Sequence, residues 1–190
     1  MPELPIGKNI GGLKISEAFE VPPSEGLKEA IWSILETVTD PEVPVLTITD
    51  LGIVRDVIIH SASDDEGIEI VITPTYTGCP AMDMITMNIK LAMVEHGYKK
   101  IKVTSVLSPA WTTDWMSEKG KIKLKEYGIA PPNPKQQVCN NDLFAAAEAI
   151  QCPHCNSYHT HRISEFGSTA CKSLHQCDDC KEPFDYFKCH

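Results

Sequence analysis

Apolar residues recur at helical spacing at Leu27, Ile31, Ile34, Leu35 and Val38, which predicts an amphipathic helix from a Ser24 cap to about Val38. Pro41 and Pro44 restrict the backbone before them, so Asp40-Pro-Glu-Val-Pro44 must end it. The pattern then changes period. Gly52–Ile59 (GIVRDVII) predicts a strand, and Ile68, Ile70 and Ile72 share one face of a second strand over Ile68–Thr73. The acidic stretch Ser63–Gly67 between them predicts a hairpin. Past Thr73-Pro-Thr-Tyr-Thr-Gly-Cys79-Pro80, helical spacing returns to about His96, closed by Gly97. On that helix Met82, Met84, Met87 and Met93, with Ile85 and Ile89, suit core packing. Ile101–Val106 predicts a third strand, and Trp111–Tyr127 a loop with a short helix. The order predicts an α+β fold, a small mixed sheet with helices on one face.

The last forty residues follow a different logic. Cys152-Pro-His-Cys155 and Cys177-Asp-Asp-Cys180 are two cysteine knuckles whose thiolates can converge on one metal ion. Their spacing is near the usual range for a structural zinc site. His154, His159, His161 and His175 lie in the same stretch, so a Cys3His shell and separate cysteine pairs are the alternatives. A closed four-sulfur shell stabilises a fold and leaves no open position for catalysis. The expected organisation is an arm over 1–23, an α+β domain over 24–132, a linker and short helix (Asp142–Ile150) over 133–150, and a zinc ribbon over 151–190. No internal repeat is evident.

Outside the knuckles the sharpest candidate is Cys79. It follows Gly78 and precedes Pro80, a residue favoured in a first helical turn. A sulfur at a helix N-terminus can be a stabilised thiolate able to ligate iron or accept a cluster. The same position suits a buried cysteine acting as a small hydrophobe. Asp40 and Glu42 flank a rigid turn and could cooperate with Cys79, or simply punctuate the helix. Trp111 and Trp115 mark either a partner contact or a fold back onto the core. Lys119, Lys121, Lys123 and Lys125 suit a solvated face. Cys171 lies close enough to Cys177 in sequence to compete for the ribbon metal or sit under it.

Composition narrows the classes. The chain has 190 residues and a formal net charge of −9. That balance disfavours binding to nucleic acid or an anionic membrane. No signal peptide is evident, and eight cysteines without one suggest metal-bound or free thiols in the cytoplasm. There is no dinucleotide fingerprint, no P-loop, no Glu-x-x-His helix pair and no serine nucleophile elbow. A thiol oxidoreductase built on one Cys-x-x-Cys pair fits less well than zinc.

The run DPEVPVLTITDLGIVRDV from Asp40, followed by TPTYTGCPAMD from Thr73, resembles the small iron–sulfur assembly domain family, whose members assist cluster maturation or insertion. PAWTTDW from Pro109, YGIAPP from Tyr127, FGSTACKSL from Phe166 and PFDYFKC from Pro183, together with the knuckles, narrow the resemblance. They are similar to the D subunits (J in another nomenclature) of multicomponent phenylacetyl-CoA 1,2-epoxidases, the ring-epoxidising oxygenases of aerobic phenylacetate degradation. That family places di-iron chemistry in one partner subunit, and flavin and [2Fe–2S] electron transfer in a reductase. The resemblance implies an accessory subunit that supports iron–sulfur or di-iron maturation of the reductase or oxygenase component. A bridging or regulatory subunit is the alternative, and a nucleic-acid-binding ribbon a remote one. The resemblance makes Cys79 the family cysteine, Asp40 and Glu42 its acidic turn, and Cys152, Cys155, Cys177 and Cys180 zinc ligands. Iron or an iron–sulfur cluster would be transient cargo. It leaves a homodimer open and does not fix the roles of Cys139, Cys171 and Cys189. Lys181, after the second knuckle, departs from the glycine often found there.

Overall fold

The computed structural model describes residues 24–60, 67–132 and 150–188. The arm, the acidic turn, the linker, most of the helix expected over Asp142–Ile150, and Cys139 and Cys189 lie outside the described residues.

The first helix, α1, spans Ser24–Leu35 and buries Ile31, Ile34 and Leu35. It stops before Val38 because the chain turns at Glu36–Thr37 to bring Thr39 beside Thr47 in an isolated antiparallel bridge. Val38 remains in the core, so helical spacing predicts its burial correctly and overruns the helix itself. Strands β1 (Val54–His60) and β2 (Gly67–Ile72) pair antiparallel, and β3 (Ile101–Ser105) joins β2 in parallel. The order β1-β2-β3 makes the expected small mixed sheet. Ile68, Ile70 and Ile72 are all buried, as their alternation requires. Between β2 and β3 runs α2, Ala81–Glu95, which with α1 packs on the sheet.

The methionines divide. Ala81, Ile85, Ile89, Ala92 and Met93 form the buried stripe of α2, whereas Met84 and Met87 are exposed beside Leu91 and Val94. Hydrophobicity alone does not tell the two faces apart, because α2 is apolar on both.

After β3 a 3-10 turn at Thr113–Trp115 leads to α3, Glu118–Glu126, then β4, Ile129–Ala130. The expected solvated lysine face is tied down in two places. Lys123 Nζ lies 2.5 Å from Asp50 Oδ2, which is buried, and Lys125 reaches Gln151. Ser117 caps α3 through Gly120 N–H and donates its own hydroxyl to Asp50 at 2.9 Å. Gly52 sits at φ 68°, and a Cβ there would collide with the carbonyl oxygen of Trp115, so only glycine fits this crossing.

The ribbon strands are β5 (Thr160–Ser164), β6 (Lys172–Cys177) and β7 (Pro183–Phe187). They join β4 in a second sheet of order β4-β7-β6-β5. Ile129 and Ala130, from before the linker, thus pair parallel with Asp185 and Tyr186 after it. The main core also crosses the linker. It holds Cys171 and Phe187 together with Trp111 and residues of α1, the first sheet and α2.

Candidate functional sites

Two groups of side chains carry chemistry, and they lie at different ends of the ribbon. The first is the knuckle pair. The Sγ atoms of Cys152, Cys155, Cys177 and Cys180 all lie within 4.8 Å of one another. Cys152 and Cys180 are 3.8 Å apart, and Cys155 and Cys177 are 3.5 Å apart. A tetrahedral zinc with Zn–S bonds of about 2.3 Å requires sulfurs about 3.8 Å apart. The donor set therefore fits a closed four-sulfur zinc shell. Among the described residues no histidine joins it: His159 and His161 face Asp179 and Asp178, and His175 is buried between Phe184 and Tyr186.

The knuckles are built alike. Asn156 N–H donates to Cys152 O, and Lys181 N–H to Cys177 O. Cys152 N–H donates to Ser157 O, and Cys177 N–H to Glu182 O. The residue before each knuckle is a glutamine. Gln151 Nε2 donates to Asn156 O and Gln176 Nε2 to Lys181 O, both at 3.1 Å. Asn156 and Lys181 both take positive φ, 62° and 64°. So a Gln-Cys-x-x-Cys-x hexad occurs twice, a short repeat hidden in the sequence because only three of its six residues agree. Backbone N–H groups also point at sulfur. Those of Cys180 and Asp179 help hold the Cys177 thiol down at about 7.

The second group centres on Cys79. Gly78, at φ 86°, turns the chain so that Cys79 and Pro80 lead directly into α2. Burial pushes the Cys79 thiol up. Hydrogen bonds to its sulfur from Ala81 N–H and the Tyr76 hydroxyl act the other way, and Glu42 and Asp40 add to the rise. The helix start does direct a backbone N–H at sulfur, but desolvation outweighs it. Burial and the charges of Glu42 and Asp40 thus push this thiol up, where its place at a helix start alone suggests a stabilised thiolate.

Asp40 is buried, and its Oδ1 accepts from the Glu42 and Val43 N–H groups at 2.8 Å each. It fixes the turn that projects the half-buried Glu42. Desolvation raises the Asp40 carboxyl, against those two hydrogen bonds and the charge of Lys172. Glu42 Oε2 in turn stands 3.8 Å from the sulfur of Cys171. Cys171 is not under the ribbon metal. It sits at the start of β6, buried, with Thr169 Oγ1 at 3.0 Å. Burial pushes its thiol up as well. Tyr76, pushed up to about 12 by its own burial, senses Cys79, Glu42 and Cys171 together.

The tryptophans separate. Trp111 is only 3% exposed, donates Nε1–H to Leu51 O at 2.8 Å, and meets Phe187 edge-on at 6.2 Å. It is a core residue joining both modules, folded back onto the interior rather than presented as a partner contact. Its apolar ring and its indole donor are both satisfied inside the molecule. Trp115 is half-buried under the Arg55 guanidinium, 3.4 Å from the ring centroid. Among the described residues no helix is long and apolar enough to cross a membrane.

Comparison with known proteins also distinguishes two parts of the chain. Residues 28–107 match a family described as iron–sulfur cluster assembly protein, and residues 136–188 match the PaaD zinc beta ribbon domain. The chain is 50% identical over 159 residues to an Escherichia coli K12 protein named as the D component of 1,2-phenylacetyl-CoA epoxidase, covering 84% of this chain and 91% of that one. It is 40% identical over 102 residues to the Fe-S protein maturation auxiliary factor YitW of Bacillus subtilis, covering 53% of this chain and 95% of the relative. A crystal structure described as a domain of unknown function from Bacillus anthracis is 30% identical, with a TM-score of 0.48 over 53% of this chain and 92% of that one. The chain belongs to the family of phenylacetyl-CoA epoxidase D subunits, in which an iron–sulfur assembly domain is joined to a zinc ribbon.

Proposed function

We propose that this chain is an accessory subunit that assists iron–sulfur or di-iron maturation of its partner subunits in a phenylacetyl-CoA epoxidase. Cys79 handles iron or a cluster transiently, Glu42 supplies a carboxylate beside it, and Asp40 holds the turn that positions Glu42. Cys152, Cys155, Cys177 and Cys180 hold one structural zinc. The reductase and the di-iron oxygenase component are the clients. The observation that carries this reading is the half-buried Cys79 thiol at the start of α2, whose sulfur takes hydrogen bonds from Ala81 N–H and the Tyr76 hydroxyl and feels the charges of Glu42 and Asp40. A half-exposed thiol beside a carboxylate can take a soft cation and release it again, because the shell is incomplete without a partner's ligands. The relative named as a maturation factor supports the same reading.

A second reading is a bridging subunit that holds the oxygenase together. The exposed row Met84, Met87, Leu91 and Val94 on α2 favours it, since an apolar helix face of this kind suits a protein partner. One experiment separates them. Cys79→Ser is coexpressed with the other epoxidase subunits, and zinc, iron and complex integrity are measured after anaerobic purification. Maturation requires that the variant keep one zinc per chain and its place in the complex while a partner loses iron. A fully metallated but dissociated complex would establish bridging. Full iron and full activity would remove Cys79 from the function.

A further inference from the structure

Helix α2 carries two apolar stripes, and the core uses one of them. Ala81, Ile85, Ile89, Ala92 and Met93 are buried. Met84, Met87, Leu91 and Val94 form the other stripe, each more than half exposed. Among the described residues no other element exposes as many large apolar side chains, and such a patch marks an interaction surface. We propose that this outer stripe docks a second copy of the chain, the two α2 helices packing side by side and parallel about a two-fold axis. The docking surface does not depend on the role given to Cys79, and it occupies the row that a bridging subunit would offer to other proteins.

Spacing and flanking charge both point to a second copy. The stripe advances by three, four and three residues, the a and d spacing of a heptad. Met84 and Leu91 take the a position, and Met87 and Val94 the d position. In that register Asp83 and Lys90 border the seam on one side as g residues, and Asn88 and Glu95 on the other as e residues. In a parallel pair a g residue meets the e residue that follows it in the other helix. Lys90 therefore meets Glu95 of the second copy, and the two-fold axis repeats the pair. Asp83 meets Asn88 of the second copy in the same way, a carboxylate opposite an amide donor. Each flank thus complements the opposite flank of an identical helix, as an isologous contact requires. An antiparallel pair centred on the same four residues would instead set Lys90 near Lys90 of the second copy. Among the described residues no salt bridge occupies Lys90 or Glu95 within its own chain, so both are free to pair.

The seam spans about two heptads, fewer than the three or four of a self-standing coiled coil, so the dimer is reversible. A parallel pair also sets both α2 N-termini, and with them both Cys79 loops, at the same end of the dimer. An antiparallel pair would hold them a helix length apart, about 1.5 Å for each residue of α2.

Sedimentation equilibrium of the full, zinc-loaded chain tests the surface. A concentration-dependent equilibrium between monomer and dimer is expected. Met87→Lys puts a charge into the seam and should weaken the dimer by at least about tenfold. Met87 is 65% exposed in the single chain, so this variant should keep the denaturation midpoint of the monomer. Lys90→Glu sets like charges opposite one another twice and should weaken the dimer by about tenfold, as should Glu95→Lys. The two changes together exchange the charges and should restore the dimer to within about threefold of the unaltered chain. A double variant no better than either single one overturns the parallel pairing and the proposal with it. A dimer that withstands Met87→Lys uses another face, which also refutes it. So does a chain that stays monomeric at every concentration. If Met87→Lys then releases that monomer from coexpressed epoxidase subunits, the row belongs to a bridging contact instead.

Discussion

At the scale of single residues, the two knuckles show how one departure from a glycine can be read as strain. Lys181 takes φ 64° where its counterpart in the first knuckle is Asn156 at 62°. Asparagine enters the left-handed region readily, whereas for most L-residues it costs roughly 1–2 kcal/mol. A glycine removes that cost but loses roughly 0.5–1 kcal/mol more chain entropy on folding. Lys181→Gly should therefore stabilise the zinc-loaded chain by about 0.5–1 kcal/mol, read as a higher denaturation midpoint. Gln176 still bonds to the backbone carbonyl at that position, so the knuckle is otherwise unchanged. Asn156→Gly should have a much smaller effect. A lower midpoint for Lys181→Gly would mean the lysine side chain contributes something that its backbone geometry does not reveal.

At the scale of elements, most of the sheet and helix content is legible in the sequence because period-2 and helical patterns coincide with buried faces. β1, β2, α2 and β3 appear within two residues of their expected bounds. What the pattern does not show is which loops meet. Cys171 and Glu42 are 129 residues apart in the chain, and no local signal links them. Trp111 is ambiguous in sequence for the same reason: its partner Phe187 belongs to another module. Nor does a hydrophobic run separate Met93 from Met87, since burial of one and exposure of the other depends on what lies above α2. Polar pairing across the sheet is equally invisible. Glu69 on β2 accepts from Thr104 on β3, pairs with Lys102 at 3.0 Å and meets His60 on β1 at 3.2 Å. These contacts hold its carboxyl at about 2, against an ordinary value of 4.5. A depressed carboxylate stabilises the fold fully above the unfolded value and progressively less as pH falls toward the folded one. The contribution is thus complete above about pH 4.5 and is lost on acidification toward about 2. Glu69→Gln should flatten the pH dependence of unfolding across that window and leave zinc content unchanged. An acid limb identical to that of the unaltered chain would show that the three partners do not act on this group in solution.

At the scale of the whole molecule, the linker separates two sequence modules that share a sheet and a core. β4 pairs with β7, and Trp111 packs on Phe187, both across the linker. The α+β part nevertheless owns most of its interior: Ile31, Leu35, Leu46, Ile48, Ile70, Ile72, Ile85, Ile89 and Met93 are fully buried without ribbon residues between them in sequence. A fragment ending at residue 132 should therefore still fold cooperatively. It should do so at a cost, because truncation removes Phe187 and Cys171 from the core and uncovers Trp111. Loss of a large buried aromatic side chain is worth about 3–5 kcal/mol. The expected outcome is a denaturation midpoint lowered by about that free energy, with Trp fluorescence shifted to the red as its indole meets water. The Asp50–Lys123–Ser117 contacts lie wholly inside the fragment and should keep α3 in place. If the midpoint does not move, the ribbon merely touches the first domain and cannot position Cys171 firmly beside Glu42. If the fragment binds a hydrophobic dye and unfolds without cooperativity, the two modules are one folding unit, and the ribbon zinc then stabilises the α+β part as much as the ribbon itself.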